Sequence, residues 1–346
     1  MKALIVAPAW IGDAVMAQTL FKRLHQYTPD LQLDALAPSW VAPVLRRMPE
    51  IARVIDNPFA HGELSLGARY RLARQLLSGY QRAYVLPNSL KSALIPFFAG
   101  IPQRVGFTGE ARYGLINRRH ALDEVALPQM VERFAQLAET PGSMLPRPLP
   151  LPRLTSSAAQ QSETLAGLGM QGTEKIAVFC PGAEYGPAKR WPARHFATLA
   201  DQLAARGYVI WLIGSAKDNA VGDDIIGLSA SPIALKNLCG ITSLTQAIDL
   251  IAASSIVVCN DSGLMHVAAA LDRPLVAVYG SSSPVFTPPL STCAQIISLK
   301  LDCSPCFKRE CPLGHLNCLN QLTPERVLEA CLNTTITAND QRETTP

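Results

Sequence analysis

Residues 259–270 of this chain read Cys-Asn-Asp-Ser-Gly-Leu-Met-His-Val-Ala-Ala-Ala. The apolar run leading into them, Ile256 to Cys259, reads as a buried strand, and it stops at Asn260-Asp-Ser-Gly263. An Ala-rich helical pattern follows at once. Asp261 or Ser262 can cap that helix, leaving backbone N–H groups free at its start. Those donors and the positive end of the helix dipole make a site for phosphate. His266 lies four residues after Ser262, on the same face and one turn in. A strand–Asp-Ser-Gly–helix–His unit points to a ligand carrying a diphosphate. The plainer alternative is an ordinary capped helix with a core histidine.

The same alternation runs outward through the chain. Ala3–Ala7 predicts a strand, Pro8–Asp13 a loop and Ala14–Tyr27 a helix, on which Met16, Leu20 and Leu24 repeat every four residues. Strand and helix recur at Leu31–Ala37 with Val44–Met48, and at Arg82–Leu86 with Lys91–Ala99. After a stretch carrying Pro141, Pro146, Pro148, Pro150 and Pro152, the alternation restarts. Strands are expected at Ile176–Cys180, Tyr208–Ile213, Ile256–Cys259 and Pro274–Tyr279. Helices are expected at Pro192–Arg206, Asp218–Leu228, Leu244–Ala253 and Gly263–Leu271. Apolar strands alternating with amphipathic helices imply an α/β fold of two Rossmann-like, doubly wound parallel-sheet domains. The expected division is 1–150, a connecting segment at 151–174, 175–335, and a polar tail at 336–346. Ligands are expected at the carboxyl ends of the strands, in a cleft between the halves.

Composition bounds the function. The chain has 346 residues, 48% of them hydrophobic and 17% charged, enough to build two cores. Residues 1–150 hold 17 Lys and Arg against 11 Asp and Glu, whereas the remainder is slightly acidic. A basic first half favours an anionic partner there, although an Arg-rich solvated surface has the same composition. No dense basic run interleaved with aromatics points to nucleic acid. No secretory signal and no apolar run of the ~18–20 residues that span a bilayer is found, so a cytoplasmic protein with free thiols is expected. The first strand is not followed by Gly-x-Gly-x-x-Gly, and neither a Gly-x4-Gly-Lys-Ser/Thr loop nor a Gly-x-Ser-x-Gly elbow occurs. Dinucleotide oxidoreductases, P-loop NTPases and α/β-hydrolases are thereby disfavoured.

Three turns and one cluster carry residues that do chemistry. Asp13, in the loop after the first strand and flanked by Trp10, Ile11 and Gly12, suits a general base, or an N-cap for the following helix. Cys180–Pro192 is a Gly/Pro-rich loop ending in Lys189-Arg190, which can bring a cation to a leaving diphosphate, or is a solvated surface turn. Ile213–Asp218, with Ser215, allows close approach of a nucleotide, or is a tight connection. Cys303, Cys306, Cys311 and Cys318, with His315 among them, are spaced compatibly with a structural zinc or iron–sulfur site, or form a loop of reduced thiols. The other five cysteines read as small core residues.

With these segments in view, the chain resembles the bacterial ADP-heptose:lipopolysaccharide heptosyltransferases of glycosyltransferase family 9, most nearly the heptosyltransferase II group. The matching stretches are Ala9–Asp13, Val85–Ala93, Cys180–Pro192, Asn260–His266 and Phe286–Leu290. The cysteine cluster departs from some members.

The resemblance implies a GT-B fold, with acceptor at the first domain and nucleotide-sugar donor at the second. It implies transfer of heptose from ADP-L-glycero-β-D-manno-heptose to the first heptose of the lipopolysaccharide inner core, forming an α linkage and so inverting the anomeric centre. In that reaction Asp13 is the base. Lys189, the backbone N–H groups at Ser262, Gly263 and Leu264, and His266 stabilise the ADP leaving group, and Asp261 binds a donor hydroxyl or caps the helix. Ser215 joins the donor site. No active-site metal is required.

Asn88, Lys91, Arg104 and Arg112, with Arg118 and Arg119, are the candidates for the phosphorylated, lipid-anchored acceptor; the arginines also read as ordinary surface charge. Ala93–Ala99 is either a contact with the inner membrane or a buried helix. Transfer to Kdo, an epimerase or hydrolase on the same fold, and a non-catalytic nucleotide-sugar sensor are the rival readings.

Overall fold

The computed structural model describes residues 1–60, 62–76, 79–170 and 175–343, with 336–343 described by backbone alone. Residues 171–174 of the connecting segment therefore lie outside the described residues, as do 344–346 and the side chains of 336–343 in the expected polar tail. The chain splits into two compact units, Met1–Leu154 and Thr155–Pro346.

Unit 1 alternates strand and helix: β1 (Lys2–Val6), α1 (Ile11–Tyr27), β2 (Gln32–Ala37), α2 (Ala42–Leu45), β3 (Ile51–Asp56), α3 (Leu66–Gln75), β4 (Arg82–Val85), α4 (Leu90–Phe98), β5 (Gln103–Phe107), β6 (Arg118–His120) and α5 (Met130–Gln136). Its six strands form one parallel sheet in the order β3-β2-β1-β4-β5-β6. Parallel strands are covered on both faces, which is why β1 and β4 are near-continuous apolar runs with Leu4, Ile5, Ala83 and Val85 fully buried. The strand order reverses at β1/β4. Connections leave those two strands in opposite directions, opening a crevice at their carboxyl ends.

The proline-rich stretch after α5 is tied down along α1. Thr19 Oγ1 donates to the Pro150 carbonyl at 2.9 Å, and Gln18 Nε2 donates to that of Arg153 at 2.7 Å. Lys22 Nζ donates to that of Leu151 at 2.6 Å. Gln18 and Thr19 are buried polar residues on the helix, and these bonds satisfy them.

Unit 2 begins with α6 (Ala158–Gly167) and continues through β7 (Lys175–Cys180), α7 (Ala193–Ala204), β8 (Tyr208–Leu212), α8 (Asn219–Leu228), β9 (Leu235–Asn237), α9 (Leu244–Ala253), β10 (Ile256–Asn260), α10 (Gly263–Ala270), β11 (Leu275–Val278), β12 (Ala294–Ile297), α11 (Asn317–Asn320) and α12 (Pro324–Glu343). The sheet order is β12-β11-β10-β7-β8-β9, again all parallel, and it reverses at β7/β10. On one face, Ala177, Phe179, Ile256, Val258, Val276 and Val278 alternate along their strands. They pack against Phe196, Leu199 and Leu203 of α7 and Val327 and Ala330 of α12. Cys180, Cys239, Cys259 and Cys331 are buried in this unit, and burial pushes their thiols up, as inert core residues require.

At helix starts one expectation is corrected, for Asp13, and one of two alternatives is selected, Ser262 as the cap residue of α10. α1 begins at Ile11, so Asp13 sits in its first turn and neither in the preceding loop nor at the cap, which is Trp10. At α10 the cap residue is Ser262, and its side chain makes no capping hydrogen bond.

Candidate active site

The switch point of unit 2 brings together the two loops that the sequence singled out. β10 ends in Asn260, which is fully buried because both ends of its side chain are used: Oδ1 accepts from Trp191 N–H at 3.0 Å and Nδ2 donates to the Pro181 carbonyl at 2.6 Å. These two bonds fasten the Pro181–Trp191 loop across the end of β10. Lys189 in that loop then reaches the next residue of the chain, and its Nζ lies 2.5 Å from Asp261 Oδ2. Both charges are largely screened from water, with the ammonium also 5.1 Å above the Tyr185 ring. Asp261 thus holds a cation at the start of α10 rather than capping the helix. The side chain of the cap residue Ser262 makes no hydrogen bond to the first-turn N–H groups of α10.

His266 is 5% exposed, and burial pushes its imidazole down to about 4. The Lys189 charge adds to that depression, and Asp261 opposes it. At neutral pH His266 is therefore uncharged, and the positive groups at this point of the unit are Lys189 and the start of α10.

Ser215, after β8, is turned to its own helix start: Asp218 Oδ2 accepts from its N–H at 2.9 Å and from its hydroxyl at 2.8 Å. Asp218 packs so closely on Gly182 that an added Cβ there would stand 2.4 Å from its carboxylate, so only glycine fits at that point of the β7 loop.

Unit 1 presents a second set at its own switch point. Asp13 stands one turn into α1, after β1, where an acidic residue complements the helix dipole. Across β1/β4, Asn88 Oδ1 accepts from Arg112 Nη2 at 3.0 Å. Arg112 is 2% exposed; it also donates to the carbonyls of Pro87 and Phe107. Arg104 commits Nε, Nη1 and Nη2 to the carbonyls of Leu115, Ile101 and Gly114. Arg112 fastens the loop after β4 to the end of β5, and Arg104 fastens the turn before β5 to the loop between β5 and β6. Asn88 and Arg112 are brought together, Lys91 is half-buried in the first turn of α4, and Arg118 and Arg119 are exposed on β6. In the apolar stretch Ala93–Ala99, Ala93, Leu94 and Ile95 are buried in α4, while Phe97 is turned outward beneath Arg104.

The cysteines at 303, 306, 311 and 318 are free thiols. Among the described residues no three His, Cys, Asp or Glu side chains are grouped so as to hold a metal ion. Backbone N–H groups of residues 313–316 draw the Cys311 thiol down, while burial and the neighbouring thiols push that of Cys318 up. The segment between these cysteines has a different role that spacing alone did not reveal. Phe307 N–H donates to the Ser281 carbonyl at 2.7 Å and Ser304 Oγ donates to that of Gly280 at 2.5 Å. Ala188 N–H donates to the Arg309 carbonyl at 3.0 Å and Tyr185 O–H to that of Phe307 at 2.8 Å. One strap therefore braces the loop after β11 and the Lys189 loop together. Ser281 and Ser282 in the braced loop are buried, and their hydroxyls have no hydrogen-bond partner among the described residues. The sequence pattern ended the strand at Cys259 and placed Asn260 in the turn; β10 runs one residue further, and the buried Asn260 amide there demands its two partners.

A sequence profile of glycosyltransferase family 9 (heptosyltransferase) matches residues 69–317. The chain is 49% identical over 337 residues to lipopolysaccharide heptosyltransferase 2 of Escherichia coli K12, covering 95% of this chain and 97% of that protein. It is 48% identical over 337 residues to the protein of the same name from Salmonella typhimurium, with the same coverage. The solved structure of E. coli ADP-heptose lipopolysaccharide heptosyltransferase II superposes with a TM-score of 0.89 at 45% identity, over 98% of this chain and 100% of that one.

Proposed function

The chain belongs to glycosyltransferase family 9, and from that premise we propose that it transfers L-glycero-D-manno-heptose from ADP-heptose to the first heptose of the lipopolysaccharide inner core. The observation that carries the reading is the Lys189–Asp261 pair set at the uncapped start of α10, at the switch point of unit 2. A diphosphate is the ligand for which free helix N–H groups and one fixed ammonium are suited. Asp261 is then the partner that keeps Lys189 in place and an acceptor for a donor hydroxyl.

In the transfer, Asp13 takes the proton of the acceptor hydroxyl as that oxygen bonds to the anomeric carbon of the donor. The bond from that carbon to the β-phosphate oxygen breaks, and ADP leaves with the electron pair. A single displacement of this kind inverts the anomeric centre and needs no covalent sugar–enzyme intermediate. The charge that develops on the leaving phosphate falls to Lys189 and the N–H groups of Gly263 and Leu264. Because the acceptor is lipid-anchored, the reading puts the enzyme at the cytoplasmic face of the inner membrane as a peripheral contact; none of the described helices is long and apolar enough to cross a bilayer.

The test is ADP release from ADP-heptose with core acceptors carrying zero, one or two heptoses. Turnover is expected with the one-heptose acceptor alone, and Asp13→Asn is expected to lower it by ~10²–10⁴-fold. Turnover on the heptose-free acceptor would move the assignment to the first heptose, and release without any acceptor would make the chain a hydrolase.

A further inference from the structure

The chain has four tryptophans, and the fold treats them in two ways. Trp191 and Trp211, in unit 2, are each 1% exposed and belong to its interior. Trp10 and Trp40, in unit 1, are 52% and 50% exposed. Both follow neighbouring parallel strands, Trp10 after β1 and Trp40 after β2, and therefore emerge at the same carboxyl edge of the sheet. They are joined through the backbone: Trp40 Nε1 donates to the carbonyl of Ala9, the residue before Trp10, at 2.9 Å. The indole of Trp40 is thus fixed against the turn that leads into α1 and Asp13.

Helix capping does not explain Trp10, and the one bond of Trp40 to Ala9 does not require its ring to stand half in water. Trp10 is the cap residue of α1 and makes no side-chain cap bond. Ser, Asp or Asn there would satisfy a first-turn N–H that Trp10 cannot. Two large rings left half in water forgo burial that a core would have supplied. An indole held by its N–H with a face open is, however, the surface on which a pyranose ring rests, its apolar C–H face against the aromatic plane and its hydroxyls in water.

The geometry points to Trp10 and Trp40 as the stacking platform for the acceptor's terminal sugar ring, presenting that ring's hydroxyl to Asp13. This rests on the assignment of Asp13 as base in heptosyl transfer. The occupant is the acceptor rather than the donor because the phosphate-directed groups, Lys189 and the α10 start, belong to unit 2, whereas both open indoles flank the α1 turn of unit 1. They are positioning residues that act on the acceptor's residence and orientation.

The experiment uses the full chain and a delipidated core oligosaccharide carrying one heptose, so that membrane contact contributes nothing. Trp10→Ala, Trp40→Ala and the corresponding Phe variants are compared with wild type, with thermal melts to confirm folding. The acceptor KM is expected to rise roughly tenfold for each Ala variant and to recover largely with Phe, while the KM for ADP-heptose stays unchanged. An unchanged acceptor KM overturns the platform, and so does a rise in the donor KM alone. An effect seen only with lipidated acceptor in vesicles also overturns it, since that result belongs to a membrane anchor. Should wild type transfer heptose to no acceptor, the functional reading fails by itself. The platform is then judged by binding: the oligosaccharide must perturb wild-type tryptophan fluorescence and must not perturb that of the Trp10→Ala/Trp40→Ala double variant.

Discussion

Lys189 and Asp261 neutralise one another at the start of α10, and the imidazole one turn further on is held uncharged. That combination sets a cation beside the start of α10, and the buried imidazole makes the fold acid-sensitive. In the unfolded chain His266 titrates near 6.5; in the fold it titrates at about 4, chiefly because burial disfavours the imidazolium. Between these values the unfolded chain binds a proton that the folded chain refuses. Stability is therefore retained above pH 6.5 and falls as the pH drops toward 4, by at most about 3 kcal/mol from this group. Thermal melts from pH 7 to 4 check it: His266→Gln is expected to lose less stability over that interval than wild type, and parallel curves for the two would contradict the assignment.

The loops act as elements because single buried side chains tie them to strand ends. Asn260→Ala removes both bonds that fasten the Pro181–Trp191 loop and leaves Trp191 N–H and the Pro181 carbonyl buried without partners. A loss of roughly 2–4 kcal/mol in denaturant unfolding is expected, with a raised KM for ADP-heptose as Lys189 drifts from α10. A variant as stable as wild type would show the loop to be held elsewhere. Much of this level was legible beforehand. The apolar runs of β1, β7, β10 and β11 and the four-residue repeat of α1 announced themselves, because burial on both faces leaves little choice of residue. β3, β5, β6, β9 and β12 did not: Ile51–Asp56 and Gln103–Phe107 mix charged and apolar residues near a sheet edge, where half the surface is solvated. The strap at residues 304–309 was hidden for another reason. Every one of its bonds ends on a backbone carbonyl, which carries no residue signature, and the cysteines around it suggested a metal site or reduced thiols rather than a brace.

At the scale of the molecule, the two units repeat one solution. Each winds a parallel sheet outward from its centre and reverses direction once, and each places its candidate residues at that reversal: Asp13 and Asn88 beside β1/β4, Lys189 and Asp261 beside β7/β10. The order of strands was beyond the sequence, since it depends on contacts between distant segments, yet the positions of the motifs after strands already marked the carboxyl edges. With Asp13 as base in unit 1 and Lys189 as the leaving-group partner in unit 2, the two proposed roles separate experimentally. The most direct measurement is calorimetric titration of ADP into wild type, Asp13→Asn and Lys189→Ala, alongside turnover of each. Asp13→Asn is expected to bind ADP as wild type does while losing turnover, and Lys189→Ala to lose roughly tenfold or more in ADP affinity. Weakened ADP binding by Asp13→Asn, or undiminished binding by Lys189→Ala, would contradict these roles.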